Sequence, residues 1–375
     1  MTPRILIIAG SDSGGGAGIQ ADIKTVTMLG GHAMTAITAV TAQNTVSVQA
    51  VHHVPADIVL AQIDACVDDI GVDAIKVGMI GSAETAFAVA RRLVALDVPI
   101  VVDPVMVATS GSVLADEETV KALDQLLSLA TLATPNLPEL AALGGEERLL
   151  GLAGAVLVKG GHAEGPVVTD RLVRREGGER LWQAPRIDTT HMHGTGCTLA
   201  SAIATGLGNR LGLVAAIVRG LQFVRLSLRE APGFGAGSGP LGQQRVRLDL
   251  GPEMRLNQIR LPGGADPQAR EFYSALGLTP IVVSPGNSYS RFEAPGGATL
   301  SLHEGQSAVY FECNDLDGQV ERLREAGFAF DGPEEQPWLW REAWTRDPVG
   351  NRVCLYQADE NRRFPPWRLA DDDAL

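Results

Sequence analysis

The chain has 375 residues, of which 45% are hydrophobic and 20% charged, so it has room for two globular domains. A net charge of −13 at pH 7 disfavours nucleic acid or an anionic membrane as the partner. No apolar run approaches the roughly 20 residues of a membrane span, and we expect a cytoplasmic protein. Four cysteines without paired spacing argue against a disulfide framework and a zinc site.

Residues 4–230 alternate short apolar runs with helical patterns, which predicts an α/β fold. The predicted strands are 4–9, 33–40, 74–77, 100–102, 130–133 and 155–158, and the helical patterns include 55–70, 83–96 and 117–129. Strands that are apolar on both faces indicate a mostly parallel sheet with helices on both sides. Ligands of such sheets bind at the carboxyl ends of the strands, where this chain has polar and glycine-rich clusters.

The hexapeptide 193–198, His-Gly-Thr-Gly-Cys-Thr, is predicted to be a loop that enters a helix. Gly194 and Gly196 allow the backbone to approach a ligand, and the free N–H groups with the helix dipole form an anion site. A thiol at Cys197, in the first turn, is expected to have a lowered pKa. A glycine-rich turn that only starts a buried helix explains the hexapeptide equally well.

A second glycine-rich stretch, 10–18, follows the first predicted strand and suggests a dinucleotide loop only weakly. No acidic residue closes a second strand at the distance which that motif requires. Gly-Lys-Ser/Thr is absent from the sequence, which excludes a Walker-type phosphate loop. The stretch can still surround a substrate, with Asp12 or Asp22 as a hydrogen-bond acceptor.

The composition changes after Arg229 to the stretch 231–240, rich in glycine and proline, which we interpret as a flexible exit from the first domain. A second unit then shows a strand, a helix and three strands, and repeats this βαβββ order about fifty residues later. Its last helix is followed by predicted strands at 328–330, 338–347 and 352–357. We therefore expect domains at 1–245 and 254–358, a linker at 246–253 and a tail at 359–375.

Seven motifs stand in the order and approximate spacing of the hydroxymethylpyrimidine/phosphomethylpyrimidine kinases, members of the ribokinase superfamily. They lie at 9–25, 41–45, 76–79, 102–106, 134–139, 158–162 and 193–197, and the resemblance covers residues 4 to about 245. It implies a ribokinase-like fold and ATP- and Mg²⁺-dependent phosphorylation of an aminopyrimidine alcohol and its monophosphate, in thiamine biosynthesis. We expect a small-molecule substrate and a homodimer.

The resemblance also implies roles for individual residues. The pyrimidine pocket corresponds to Gly10, Asp22, Thr41, Gln43 and Met79. The ATP and anion site corresponds to Lys159, Gly194, Thr195 and Gly196, and the magnesium site to Asp103, Asn136 and Glu139. Lys159 and Cys197 are the implied catalytic residues, and Cys197 stands where many ribokinase-like sugar kinases carry the aspartate base.

Three features depart from the family pattern, namely Thr109 in the lid, Met192 before the glycine motif, and a short region between Glu139 and Ala155. They leave two alternatives open. One is a pyridoxal/pyridoxine kinase, since related kinases accept that ring. The other is a regulator that binds a pyrimidine without turning it over.

The second unit, residues 254 to about 358, resembles the vicinal oxygen chelate superfamily, which includes glyoxalase I and bleomycin-resistance proteins. The positions where metal-using members carry His or Glu are occupied here by Gln258, Ala308 and Cys354. Ala308 has no ligating atom, and His303 with a distant thiol makes a poor site. We therefore expect a metal-free binding or dimerising module, and its tryptophans 338, 340 and 344 suit a planar ligand or core packing equally well.

Overall fold

The structure is a computed structural model that describes residues 2–106, 117–246, 250, 254–263, 266–284, 286 and 288–369. It divides into two compact units, Met1–Gln244 and Arg245–Leu375, which we call the first and the second domain. No helix in the described part of the chain is both long enough and apolar enough to cross a membrane.

The first domain is built on a nine-stranded sheet of order β3-β2-β1-β4-β5-β6-β7-β8-β9. Its strands are β1 (Arg4–Asp12), β2 (His32–Gln43), β3 (Val48–His53), β4 (Ala74–Val77), β5 (Ile100–Val102), β6 (Leu132–Ala133), β7 (Ala155–Val158), β8 (Val167–Arg174) and β9 (Glu179–Pro185). Strands β2, β1, β4, β5, β6 and β7 run parallel, whereas β3, β8 and β9 add antiparallel edges.

Helices cover both faces of this sheet, as predicted. They are α1 (Gly18–Met28), α2 (Ala56–Asp69), α3 (Ala83–Leu93), α4 (Glu117–Leu127), α5 (Leu137–Ala142), α6 (Glu146–Leu152), α7 (Thr195–Gly208) and α8 (Leu213–Arg229). Strand β1 shows why the sheet is apolar on both sides. Leu6 and Ile8 belong to the core cluster under α2, α3 and α4, while Ile5 and Ile7 belong to the cluster under α1, α7 and α8. The ribokinase-like α/β fold is confirmed.

The short region between Glu139 and Ala155 contains the end of helix α5 and all of helix α6. One local prediction for the first domain needs revision. The stretch 231–240 is not a free exit, because Gly237 donates its N–H to Thr45 Oγ1 at 3.2 Å and Gly239 accepts the N–H of His193 at 3.1 Å. Backbone pairing against the 193–198 loop fixes this segment to the domain.

The second domain contains the predicted βαβββ order twice. Its elements are β10 (Arg255–Pro262), α9 (Pro267–Ala275), β11 (Thr279–Val283), β12 (Tyr289–Glu293), β13 (Thr299–His303), β14 (Ala308–Glu312), α10 (Leu316–Glu325), β15 (Asp331–Glu335), β16 (Arg341–Arg346) and β17 (Arg352–Gln357). All eight strands form one sheet of order β11-β12-β13-β10-β14-β17-β16-β15. The two modules meet where β10 pairs antiparallel with β14.

One prediction fails in the second domain, since the strand expected at 328–330 lies instead at Asp331–Glu335. Residues 359–369 of the expected tail contact the sheet of the domain. Arg362 is fully buried, and Leu369 donates its N–H to the carbonyl oxygen of Ile281 at 2.9 Å. Arg362 and Arg368 of this segment form ion pairs with Glu312 and Glu293 of the sheet. The charged composition of the segment therefore did not indicate that it packs against the domain.

A buried ion pair joins three elements of the first domain. Lys76 on β4 and Asp22 on α1 lie 2.8 Å apart, both side chains are fully buried, and Ser201 on α7 donates a 2.7 Å hydrogen bond to the same carboxylate. Burial opposes the charge on Lys76, but the carboxylate of Asp22 raises the pKa of this lysine. Breaking such a pair leaves an uncompensated buried charge, which is strongly destabilising.

We expect Lys76→Met to lower the free energy of unfolding of the first domain by about 3–5 kcal/mol, because Asp22 keeps its burial and loses its partner. Urea denaturation of the full chain, followed by circular dichroism, measures this change. Lys121→Met on the exposed face of α4 is the matched control. Equal stability of the two variants would contradict a structural role for the pair.

Candidate active site

A cavity of about 790 Å³ opens at the carboxyl ends of the parallel strands. This volume suits a small-molecule site. Among the residues implied by the family resemblance, the cavity wall contains Gly10, Thr41, Gln43, Met79, Asp103, Asn136, Glu139, Lys159, Gly194, Thr195, Gly196 and Cys197. Residues from seven different motifs therefore meet in one place.

Asp22 is the implied site residue that the structure does not place in the cavity wall. Its carboxylate is fully buried and binds Lys76 and Ser201, so neither face of it is left for a ligand. Asp22 supports the strand and the two helices beneath the site. Asp12, the other acid that the sequence offered in this stretch, lies in the cavity wall.

Asp12 organises the loop that follows β1. One carboxylate oxygen accepts the N–H of Gly14 at 2.8 Å, and the other accepts those of Gly16 at 3.0 Å and Ala17 at 2.8 Å. His193 Nε2 lies 2.9 Å from the same second oxygen. Burial alone would raise the pKa of Asp12, but these hydrogen bonds and His193 lower it. Asp12 is therefore a carboxylate acceptor that ties the loop after β1 to the loop before α7.

The contact with Asp12 also decides how Gln43 is held. In the structure Gln43 Nε2 lies 3.2 Å from His193 Nε2, and Gln43 Oε1 lies 3.3 Å from Thr41 Oγ1. When the single Nε2–H of His193 donates to Asp12, the amide fits with its oxygen and nitrogen exchanged, so that the oxygen shares this hydrogen with Asp12. The amide nitrogen then faces Thr41 Oγ1, which itself donates to the carbonyl oxygen of Ser11 at 2.9 Å. One amide N–H and one oxygen lone pair of Gln43 remain for a ligand.

Helix α7 begins at Thr195, as the hexapeptide predicted. Its N-cap, Gly194, has a φ of 87° and offers no capping side chain. The N–H of Thr195 donates to the carbonyl oxygen of Met192 at 3.3 Å, which leaves those of Gly196 and Cys197 for an anion. A Cβ at Gly194 would lie 1.9 Å from the carbonyl oxygen of Gly16, and one at Gly196 would lie 3.1 Å from Lys159 Nζ. The first approach excludes a side chain at Gly194, and the second means that a side chain at Gly196 would displace Lys159.

Lys159, which directly follows β7, lies opposite this helix start. Its Nζ is 2.7 Å from Asp103 Oδ1 and 3.8 Å from Glu139 Oε2. Burial opposes the charge on Lys159, yet the carboxylates of Asp103 and Glu139 raise its pKa. The ammonium group therefore stays charged at neutral pH at the edge of the cavity.

The implied magnesium residues are hard oxygen donors in the same wall, but their atoms are partly engaged. Asn136 and Glu139 form a capping box at the start of α5, each side chain accepting the other's backbone N–H at 2.8 Å. Asp103 also accepts the hydroxyl of Thr134 at 3.1 Å. Within the described ranges, no cluster of three or more His, Cys, Asp or Glu side chains is arranged to hold a metal. The set fits an ion that takes most of its ligands from phosphate oxygens and water.

The expected lowering of the Cys197 pKa is wrong. Burial raises the pKa of this thiol to about 11, and the charge on Lys76 only partly opposes the effects of burial, Asp22 and Asp103. The prediction weighed the helix N-terminus alone. It missed the two carboxylates, which come from strands and helices far apart in the sequence.

The cavity has an apolar part that sequence reasoning did not find. Trp182 on β9 and the α8 side chains Val218, Leu221, Val224 and Leu228 line it. Strand β9 was not predicted, since most of its residues are exposed and no apolar run marks it. Met192, half exposed, also lines the cavity, whereas Thr109 lies outside the described residues.

In the second domain the three positions considered for a metal are all buried. Gln258 accepts the hydroxyl of Thr299 at 2.9 Å, and Tyr310 stands between Gln258 and Cys354 in the strand register. Ala308 contributes no ligating atom, and His303 is exposed at the end of β13. The three tryptophans differ in burial. Trp340 is buried, with its ring centroid 4.7 Å from that of Tyr356, whereas Trp338 and Trp344 remain partly exposed.

The comparisons with known proteins agree with this geometry. A hydroxymethylpyrimidine/phosphomethylpyrimidine kinase of Streptomyces coelicolor is 45% identical over 64% of this chain and 93% of its own length. A pyridoxal kinase of Bacillus subtilis, solved as an ADP complex, is 31% identical with a TM-score of 0.61, over 66% of this chain and all of its own. A phosphomethylpyrimidine kinase of Clostridium difficile is 35% identical with a TM-score of 0.53, over 60% of this chain and 98% of its own.

The family model described as phosphomethylpyrimidine kinase matches residues 12–242. This range holds every residue that we have placed in the cavity wall except Gly10, which lies two residues before it. The chain belongs to the phosphomethylpyrimidine kinase family.

Proposed function

We propose that the first domain transfers a phosphoryl group from ATP to 4-amino-5-hydroxymethyl-2-methylpyrimidine, and then to the monophosphate of that alcohol, in thiamine biosynthesis. The observation that carries this proposal is that one cavity combines an oriented amide with a phosphate site. Gln43 supplies the amide, and Lys159 with the start of α7 supplies the phosphate site.

The acceptor end suits an aminopyrimidine. Gln43, held by His193 and Thr41, keeps one donor and one acceptor free, which complements a ring nitrogen beside an exocyclic amino group. Met79 adds a soft apolar wall, and its sulfur would lie 3.1 Å from a Cβ at Gly10, so the glycine leaves room for the ring. Recognition of the pyrimidine ring then depends on the shape of the pocket and on the side-chain amide of Gln43.

Phosphoryl transfer asks mainly for positioning and for neutralisation of charge. Lys159 and the N–H groups at the start of α7 would hold the transferring phosphoryl oxygens. Asp103, Glu139 and Asn136 would hold Mg²⁺, largely through water, and the ion would neutralise charge on the ATP phosphates. The apolar part of the cavity, around Trp182 and Leu221, is free for the base of the nucleotide.

For the second domain we propose a vicinal oxygen chelate-type module that binds a ligand without a metal. Two βαβββ modules joined through β10 and β14 support the architecture. The residues at the three candidate positions, Gln258, Ala308 and Cys354, support the metal-free assignment.

A turnover assay of the full chain with ATP tests the function of the first domain. It compares the pyrimidine alcohol, its monophosphate and pyridoxal, each with and without EDTA. We expect turnover of both pyrimidines, and loss of turnover with EDTA. Turnover of pyridoxal alone would instead support the pyridoxal kinase reading that the Bacillus subtilis structure suggests, and no turnover would support a pyrimidine-binding regulator.

We expect Lys159→Ala to lower kcat by about 10²–10³-fold, because it removes a preorganised charge from the transition state. Cys197→Ala should also lower kcat, and by no more than Lys159→Ala. Steady-state kinetics with the pyrimidine alcohol measures both effects, with Lys121→Ala as the surface control. Full activity in either variant would contradict a catalytic role for the substituted residue.

The pKa of about 11 for Cys197 predicts a protonated thiol between pH 7 and 9. Because the pKa of Cys197 in the folded protein is raised, the thiol stays neutral until the pH approaches 11. Below that pH the thiolate fraction grows about tenfold per pH unit, and kcat would grow with it if the thiolate were the base. We expect no such rise, and the same pH dependence for the native enzyme and for Cys197→Ser. A log-linear rise that the variant loses would identify the thiolate as the base.

We expect His193→Phe to raise the KM for the pyrimidine alcohol about tenfold, because Gln43 loses the donor that orients its amide. The KM for ATP should change less, by under about twofold, since the hydrogen bonds of the His193 side chain go to Gln43 and Asp12 rather than to Lys159, Asp103 or Glu139. His32→Phe, on the exposed start of β2, is the control. An equal rise in both KM values would indicate a general disturbance of the loop instead.

A further inference from the structure

One face of the second-domain sheet carries a row of arginines. Arg291 on β12, Ser301 on β13, Arg260 on β10, Ala308 on β14 and Arg352 on β17 stand opposite one another in the strand register. Residues paired in this way point to the same side of a sheet. We call this side the arginine face.

The arginine face is not the side that packs against helix α10. Leu355 and Ala343 form a core cluster with Leu316 and Val320 of that helix. Cys354, which precedes Leu355, belongs to a separate cluster with Tyr310, Trp340 and Tyr356. Since successive residues of a strand point to opposite sides, that aromatic cluster lies on the arginine face.

The side chains of the three arginines in this row lie against aromatic rings, and the charges of Arg260 and Arg352 also lower the pKa of Glu342 against the effect of burial. The guanidinium carbon of Arg260 lies 5.7 Å from the ring centroid of Tyr310 and 5.3 Å from that of Trp344. Arg352 lies 4.4 Å from Trp344, and Arg291 lies 5.1 Å from Trp340. No hydrogen bond or ion pair joins the side chain of any of the three to another residue in the part of the chain that the structure describes.

Buried donors without acceptors are concentrated at the same place. They are Nε of Arg260, Nε of Arg291, Oγ of Ser301 and Nε1 of Trp340. A buried donor left unsatisfied costs about 1–3 kcal/mol, and more when it is charged. Several donors facing one region therefore indicate that an acceptor-rich group binds there.

Three glutamates of this face are already in use. Glu342 accepts the indole N–H groups of Trp338 at 2.8 Å and Trp344 at 2.9 Å. Glu293 and Glu312 form ion pairs with four other arginines, at positions 363 and 368 and at 255 and 362, respectively. By the strand register, the exposed residues Asp331, Glu334 and Arg346 also lie on this side, with Asp331 opposite Trp344. Eight arginines thus stand against five acids, in a chain whose net charge is −13.

Arg291 shows the cost of this imbalance. It is only 4% exposed, and burial together with the charges of Arg362 and Arg368 lowers its pKa. An anion on the arginine face would offset that repulsion. Arg260, Arg352 and Trp344 are half-buried, so a ligand from solvent can reach them.

We propose that the arginine face binds a planar aromatic phosphate ester, with the phosphate on Arg260 and Arg352 and the ring against Trp344. Guanidinium groups recognise phosphate through paired hydrogen bonds, and an indole ring favours a flat partner. The ligand that we assign, the pyrimidine monophosphate, rests on the proposed function of the first domain. The second domain would then bind the product of the first phosphorylation, which is also the substrate of the second.

Fluorine NMR of the full chain labelled with fluorotryptophan tests this site. The chain has five tryptophans, and Trp344→Phe assigns the resonance of interest. The probes are the pyrimidine monophosphate, the unphosphorylated alcohol and inorganic phosphate. We expect the monophosphate alone to shift the Trp344 resonance saturably, and Arg260→Gln or Arg352→Gln to weaken that binding at least about tenfold.

Arg322→Gln on exposed helix α10 removes the same charge and should leave the titration unchanged. Arg352→Lys, which keeps the charge but not the paired donors, should bind with intermediate affinity. An unmoved Trp344 resonance, or equal binding of the alcohol or of inorganic phosphate, would overturn the proposal. Because this readout does not need turnover, it fails or succeeds independently of the kinase assay.

Discussion

The carboxylate of Asp12 is the contact on which the first-domain site depends. It closes the loop after β1 by accepting three backbone N–H groups, and it holds His193 at the entrance to α7. These two loops come from opposite ends of the domain sequence. One charged group therefore fixes the distance between the acceptor pocket and the phosphate site, and through His193 it also fixes the amide of Gln43.

Much of this arrangement could be predicted from the sequence. The parallel strands are short apolar runs, and their carboxyl ends must meet at one edge of the sheet, so motifs that follow them lie together. Strands β3, β8 and β9 were missed because their exposed faces carry no apolar run. The position of Asp22 was missed for another reason. Its partners Lys76 and Ser201 are 54 and 179 residues away, and only the folded chain shows that they neutralise it.

The largest difference between the sequence-based prediction and the structure concerns the protonation state of Cys197, and electrostatics explains it. At Cys197 a local argument from the helix N-terminus predicts a thiolate, whereas burial beside Asp22 and Asp103 produces a thiol. At Lys159 the same carboxylate, Asp103, outweighs burial and keeps the ammonium charged. The protonation state of each side chain depends on which charged groups the fold brings within a few ångströms of it. The order of residues in the sequence does not show these distances.

The backbone contacts of the segment 237–242 limit where the chain can be divided. Gly237 and Gly239 bond to Thr45 and His193, and Gly242 donates its N–H to the carbonyl oxygen of Ser227 at 2.9 Å. This glycine-rich strip is therefore a structural part of the loop that enters α7, although its composition is that of a linker. A gene split or domain exchange that keeps the first domain functional has to cut after residue 242, and one made in the 230s would release the phosphate loop.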